Sequence, residues 1–372
     1  MNPFHYGTVV KEPYFFDRQA EKERIIRTLI AGNNLVLYSP RRYGKTSLVM
    51  KVIDELTSMD YTCIYFDFMT IYSRESFIEG YTKNIYNRLK NPQKLINTVV
   101  QYIKGIRPVL TFDSIGNPRL SIEFLEPKIS DKTLEEVIDL PAKLVDNKKL
   151  IIIMDEFQDI YKLNGENFER LLRSKIQHQT DVNYLFMGSR THILQDMFNN
   201  RNRPFYNSAF SMILGPLPKA ETIRFLIGRF AASDIKIDEE TASHLISQAG
   251  NIPYYIQFLA SEIWQYCILQ SKIVTPDIVN LCAERIIDLK GDYYFELFDR
   301  VTAYQKKLLK TLAIDNQNVF SADYANRFHL SAASSTQKAL NGLIKMGIIE
   351  KHENYYLFDD PFFKQYLLRL QA

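Results

Sequence analysis

The sequence is short of cysteine, of net charge and of long apolar runs, and each shortage excludes a class of protein. Cys63, Cys267 and Cys282 are odd in number, stand in apolar segments and have no C-x-x-C spacing. That argues against a disulfide framework and predicts reduced core thiols in a cytoplasmic protein. No uninterrupted apolar stretch is long enough to cross a bilayer, so no membrane contact is expected. Met1-Asn2-Pro3-Phe4-His5-Tyr6 lacks the basic-then-apolar pattern of a secretory signal. With 46 Lys and Arg against 43 Asp and Glu, the net charge of +3 gives no ground for nucleic acid binding.

What is present begins with Ser39-Pro40-Arg41-Arg42-Tyr43-Gly44-Lys45-Thr46, set between the apolar run Leu35-Val36-Leu37-Tyr38 and Ser47-Leu48-Val49. Strand, short loop and helix start are the setting a phosphate-binding loop requires. Backbone N–H groups at such a helix start face phosphates, Lys45 reaches the β and γ oxygens, and the Thr46 hydroxyl sits on Mg2+. Gly44 allows close backbone approach. Ser39 replaces the glycine that usually opens the pattern. The competing reading is an ordinary strand–helix turn.

A second motif weighs against that turn. Leu150-Ile151-Ile152-Ile153-Met154-Asp155-Glu156-Phe157 is too short for a typical helix and suits a central parallel strand ending in two carboxylates. Asp155 is expected to hold Mg2+ through water, and Glu156 to orient or deprotonate the attacking water. Taken alone, the pair is also what a strand ending at an acidic surface turn would show.

The 372 residues leave room for two or three domains. An extended arm and then an amphipathic helix from Asp17 or Arg18, with Asp17 as N-cap, open the chain. Strands are predicted at 61–68, 150–157, 184–187 and 210–214 besides 35–38, alternating with helices within 73–89, 132–145 and 166–177. Two alternating runs around Ser114-Ile115-Gly116-Asn117 predict a β-hairpin inserted at about 108–125. Five alternating strands argue for an α/β fold with a parallel sheet covered on both faces.

In such a sheet, ligands lie beyond the strands' carboxyl ends, which makes Ser189 and Arg190 candidates to sense a γ-phosphate. A loop or helix cap explains them equally well. Arg201 and Arg203 are candidates for an arginine finger, against the commoner role of surface arginines.

From Lys219 onward helices take over, at 219–232, 238–249, 253–270 and 275–289. Gly250 suits the C′ position of one and Pro253 the N1 position of another. The last stretch predicts helices at 302–313, 322–328 and 332–345 followed by a β-hairpin, the order of a winged helix. Its third helix offers Ser334, Ser335, Gln337, Lys338, Asn341 and Lys345 on the expected exposed face. From Arg300 on, ten Lys and Arg stand against six Asp and Glu, modest for a DNA reader.

These motifs together carry a resemblance. The Phe15-Phe16-Asp17-Arg18 arm with Glu21, the Pro40 to Leu48 loop, Ile153-Met154-Asp155-Glu156-Phe157-Gln158, Gly188-Ser189, the Gly250-Asn251-Ile252-Pro253 corner and Asp360-Pro361-Phe362-Phe363 resemble the archaeal-type ATPases. These belong to the STAND class of P-loop NTPases, relatives of AAA+ proteins. The resemblance implies an ATP-binding core over 1–215, a helical lid over 216–290 and a winged helix over 291–372, responding to nucleotide as a switch. It implies ATP and Mg2+ as ligands, the loop from Ser39 to Ser47 around the phosphates, Thr46 and Asp155 at the metal, and Lys45 and Glu156 in catalysis, with Arg190, Arg201 or Arg203 open as the catalytic arginine and Arg190 the one at the strand end. By position, Phe16, Arg18 and Pro253 line the adenine pocket.

Three departures stand out: Asp17-Arg18 for Gly-Arg, Ser39 for Gly, and Asn207-Ser208 after Pro204-Phe205-Tyr206 where relatives often have Gly-Arg. The expected partners are ATP or ADP and a protein, or a second copy, meeting the lid or winged helix. The competing expectation is a DNA-binding AAA+-like ATPase of the Orc/Cdc6 type, less favoured by the charge.

Overall fold

Four apolar residues just before Ser39 form strand β1 (Leu35–Tyr38), fully buried, in a computed structural model that describes residues 2–8, 15, 18–88, 92–112, 114–116, 118–144, 150–351 and 355–371. In chain order follow β2 (Thr62–Asp67), β3 (Ile106–Phe112), β4 (Pro118–Phe124), β5 (Leu150–Asp155), β6 (Val182–Gly188), β7 (Phe210–Ile213), β8 (Ile349–Lys351) and β9 (Tyr356–Phe358). Five of these make one sheet in the order β2-β5-β6-β1-β7, with every pair parallel. All six residues of β5 are buried, as a strand covered on both faces must be. Each fully buried isoleucine there contributes about 1.5–3 kcal/mol.

The chain divides into two compact units, Arg18–Gly215 and Met1–Asp17 with Pro216–Ala372. The described residues before Arg18 thus group with the second half rather than with the expected 1–215 core. Phe4 packs 4.7 Å from the Phe230 ring, Tyr6 4.7 Å from Phe258, and Asn2 donates to Ser261 at 2.8 Å. The Asp17 cap and the Phe16 arm position lie outside the described residues. At the start of the helix Gln19–Ile30, Arg18 is the N-cap residue, at φ 71° and with no side-chain capping bond.

In the Arg18–Gly215 unit the helix Lys45–Ser58 crosses from β1 to β2, a parallel connection. The hairpin expected near 108–125 is the β3–β4 pair, antiparallel in register from Ile106↔Phe124 to Phe112↔Pro118. Two differences from expectation have local causes. The helix predicted over 132–145 is two helices, Asp131–Ile138 and Leu140–Leu144, because Pro141 has no N–H to continue the ladder. A helix at Pro92–Tyr102 was not anticipated, although Leu95 and Val99 at helical spacing are buried.

The other unit holds helices Lys219–Ala231, Glu239–Gln248, Pro253–Gln270 and Pro276–Leu289, close to the predicted spans, and a further helix, Gly291–Asp299. Gly250 at φ 64° and Asn251 at φ 55° turn the chain between two of them, and Pro253 opens the next. Helices Ala303–Ile314, Ala322–Arg327 and Ala333–Lys345, then the antiparallel β8–β9 pair, make a winged helix. Asp360 starts the final helix Pro361–Arg369. Its Oδ1 accepts from the Phe362 and Phe363 amides, and its Oδ2 from Lys290 and Tyr294 at 3.0 Å each.

The three cysteines are free and buried. Burial pushes the Cys63 thiol up to about 11 and the Cys282 thiol up to about 12, so both stay protonated at neutral pH. Among the described residues no helix is long and apolar enough to cross a membrane.

Candidate ATP site

The carboxyl ends of four parallel strands bring the predicted loop and carboxylates together. Beyond β1, Ser39 and Pro40 are buried, Arg41 and Arg42 are exposed, and Tyr43 is buried. Arg42 at φ 69° and Gly44 at φ 83° are both left-handed, which curls the loop back toward the helix start. A Cβ at Gly44 would meet nothing within 4 Å, so the backbone angle rather than crowding calls for glycine. The helix Lys45–Ser58 has no side-chain cap and no acidic residue in its first turn, so no carboxylate of its own occupies its positive end. Thr46 is half-buried there and Ser47 is buried.

Lys45 is buried between the two acids. Its Nζ lies 2.9 Å from Asp155 Oδ1 and 3.3 Å from Glu156 Oε1. Asp155 closes β5. Its Oδ1 also accepts from the Glu156 amide at 2.8 Å, and its Oδ2 accepts from the Tyr65 hydroxyl. Glu156 stands at φ 48°, ψ 42°, a left-handed conformation that costs a glutamate about 1–2 kcal/mol. The turn aims its carboxylate back at β6, where Oε2 accepts from the Ser189 amide at 3.2 Å, from Ser189 Oγ at 2.9 Å and from Gln158 Nε2. Burial alone would raise the Glu156 carboxyl. The Lys45 charge and these hydrogen bonds outweigh burial and hold it below its ordinary value.

Tyr65, Asp67 and Gln158 join this cluster without a role assigned to them from the sequence. Tyr65 and Asp67 come from β2, where Asp67 pairs in register with Asp155. Burial, with the charges of Asp155 and Glu156, holds the Asp67 carboxyl above its usual range. Burial and Asp155 likewise push the Tyr65 hydroxyl well up, so it remains a donor. Gln158 is buried with Nε2 on Glu156, and a Cβ at Gly188 would lie 2.0 Å from Gln158 Oε1. Gly188 therefore makes room for Gln158. The signal for Asp67 was a polar residue ending an apolar strand; Gln158 stood in the motif that carries the resemblance but without a role, because its contact depends on the turn at Glu156.

Arg18 is buried, and its guanidinium donates to Glu21 at 2.8 Å, to the Gly215 carbonyl at 2.6 Å and to the Tyr43 carbonyl at 3.4 Å. It braces the loop backbone at Tyr43. Arg190 is exposed at the start of helix Thr191–Asn199, and Arg201 is exposed. Arg203, the partly buried one of the arginine-finger candidates, is engaged by neighbouring side chains. Its guanidinium contacts the fully buried Glu169 carboxylate at 2.5 Å, lies 3.6 Å from Asp196 and sits over the Tyr161 ring. A cation so committed braces its own loop. Pro253 belongs to the other compact unit.

Oxygen donors at Thr46 and Asp155 suit Mg2+, a hard cation. Among the described residues no cluster of three or more His, Cys, Asp or Glu side chains forms a metal cage.

Residues 15–187 match an ATPase domain found predominantly in Archaea, and residues 292–369 match a probable winged helix domain. Over 286 residues the chain is 33% identical to an ATP-binding protein of Methanocaldococcus jannaschii, spanning 67% of this chain and 72% of that protein. The chain belongs to the archaeal-type ATPase family. A second ATP-binding protein of the same organism is 26% identical over 296 residues, 72% of each chain. Among solved structures, the Walker-type ATPase of Pyrococcus abyssi superposes with a TM-score of 0.66 at 20% identity, covering 98% of this chain and 99% of that one. The Aeropyrum pernix ORC2 protein, solved as ADPNP-ADP complexes, gives 0.56 at 12% identity, covering 99% of both chains. At these identities the likeness shows the fold alone: an α/β P-loop ATPase with a C-terminal winged helix.

Proposed function

We propose that this archaeal-type ATPase binds ATP with Mg2+, hydrolyses it, and works as a nucleotide-controlled conformational switch of the STAND kind. The observation that carries the proposal is Lys45 lying between Asp155 and Glu156 while Ser189 holds the other oxygen of Glu156. A cation, two differently placed acids and a polar tip on β6 are the parts phosphoryl transfer to water needs.

In this scheme the loop from Ser39 to Ser47 wraps the phosphates and Lys45 turns its ammonium to the β and γ oxygens. Thr46 and Asp155 would hold Mg2+, which would supply neutralisation of the charge developing on the phosphates. Glu156 orients or deprotonates the attacking water, with Gln158 and Ser189 fixing its carboxylate. Ser189 and Arg190 face the γ-phosphate. The adenine pocket of Phe16, Arg18 and Pro253 rests on the resemblance alone, and the bonds Arg18 makes support a role in bracing the loop. A core over 18–215, a lid over 216–290, a winged helix over 291–372 and a cytoplasmic location belong to the same proposal.

A switch needs one conformation favoured by ATP and another by ADP. Hydrogen exchange of the full chain with Mg2+-ATP and with Mg2+-ADP tests this. Different protection in 216–372 between the two supports the switch; identical protection contradicts it.

Duplex DNA is a second target, favoured by the exposed Ser334, Ser335, Lys338, Asn341 and Lys345 on the helix Ala333–Lys345. The Aeropyrum pernix ORC1 protein, solved in complex with DNA, shares the fold at a TM-score of 0.50 and 13% identity, covering 97% of this chain and 95% of that one. Salt-sensitive duplex binding by the full chain supports this second reading, and no binding at low salt excludes it.

A further inference from the structure

We propose that Tyr65 is a positioning residue that fixes the Asp155 carboxylate as an acceptor for the water shell of Mg2+, so that metal affinity depends on a phenol from the neighbouring strand. This rests on the Mg2+-ATP function proposed above and adds a residue to it.

Tyr65 pairs in register with Ile153, and Asp67 with Asp155. Positions two apart on a strand share a face, so Tyr65, Asp67, Ile153 and Asp155 line the same side of the sheet. From there the Tyr65 hydroxyl donates to Asp155 Oδ2. The opposite oxygen, Oδ1, accepts from the Glu156 amide at 2.8 Å and from Lys45 at 2.9 Å. The carboxylate is thus held at both ends by donors of different stiffness. The amide is part of the backbone and the phenol belongs to a half-buried aromatic side chain on β2, whereas Lys45 sits on a flexible four-carbon stem.

An ionised carboxylate has about four lone-pair sites. Three donors leave one of them open, and a second opens when Lys45 turns to phosphate. The amide and the phenol then keep the carboxylate plane still, so that its open lone pairs keep their direction. A metal bound through its waters depends on that direction, because its water shell is geometrically demanding. Without the phenol, Asp155 is held through Oδ1 alone and free to rotate about its last side-chain bond.

The test uses the full chain and Tyr65→Phe, which keeps the ring and removes one oxygen. Binding of a fluorescent ADP analogue is measured across a Mg2+ series and in EDTA. Expected is a half-saturating Mg2+ concentration raised roughly tenfold, the order of one hydrogen bond to a charged group, with affinity in EDTA unchanged. A loss of packing would weaken binding in both conditions. Manganese titrated against the same samples and followed by electron paramagnetic resonance reads the metal directly and is expected to weaken in parallel.

An unchanged or lowered Mg2+ requirement in Tyr65→Phe overturns the inference. If the parent binds the analogue with no dependence on Mg2+, the inference falls while nucleotide binding stands. A parent that binds no nucleotide in either condition removes the proposed function and the inference with it.

Discussion

Lys45 Nζ lies 2.9 Å from Asp155 Oδ1, an ion pair between residues 110 positions apart with both side chains only 7% exposed. Removing the cation leaves two neighbouring carboxylates facing each other in a low-dielectric site. Breaking a buried pair costs about 3–5 kcal/mol. The remaining bonds from Tyr65, Ser189 and Gln158 place Lys45→Ala near the lower end, at about 3 kcal/mol. Urea unfolding of the full chain, in the absence of nucleotide, measures it.

Gly188→Ala is expected to act through Gln158 without altering any charged group. The added Cβ would stand 2.0 Å from Gln158 Oε1 and 2.8 Å from Leu194, so the amide must leave Glu156. Overpacking of this kind costs about 1–3 kcal/mol. Turnover is expected to fall at least tenfold while ATP affinity stays near that of the parent, because no phosphate ligand moves. A fall in affinity equal to the fall in turnover would place Gly188 among the binding groups instead.

Arg203 and Arg190 are expected to respond in opposite ways. Arg203→Ala strips the only salt bridge from Glu169 among the described contacts, and Glu169 is fully buried. It should destabilise the protein by about 3–5 kcal/mol. Arg190→Ala, at an exposed position, should change stability by less than about 0.5 kcal/mol. Its effect should appear in turnover, about tenfold or more. Denaturation midpoints and single-turnover rates of the two variants separate bracing from catalysis.

The acid limb of the stability curve should depend on Glu156. Its carboxyl is held below the ordinary value of 4.5 by Lys45 and its hydrogen bonds, against the opposing effect of burial. A depressed folded value means that the ionised form stabilises the fold above about pH 4.5, and that this contribution disappears as pH falls through the lower folded value. Glu156→Gln removes a titrating group, so its stability should change less than the parent's below pH 4.5. Parallel acid-unfolding curves would show that Glu156 gains no net stabilisation from its partners.

The loop, the acidic strand and Ser189 were legible because each is a short run with its own chemistry: Gly44-Lys45-Thr46 before a helix, Asp155-Glu156 after five apolar residues, Gly188-Ser189 after a buried strand. The five-stranded sheet was legible for the same reason, since buried parallel strands read as continuous apolar runs. Tyr65 and Gln158 were not, because what they touch is decided by the register of β2 on β5 and by the left-handed turn at Glu156. Neither quantity is written in a local pattern. The contacts of Arg203 were illegible for a related reason. A polar loop with no apolar period gives no hint that Glu169, 34 residues earlier on a helix, is buried beneath it.

The most direct measurement is Mg2+-ATP binding and turnover by the parent, Lys45→Ala and Glu156→Gln, with molecular size and folding checked in the same samples. The expected result is a parent that binds and hydrolyses, a folded Lys45→Ala that does neither, and a Glu156→Gln that binds as well as the parent with turnover reduced at least a hundredfold, within the range general-base removal produces. A folded parent that binds no ATP, or a Glu156→Gln that hydrolyses at the parent's rate, would contradict the proposed ATPase function.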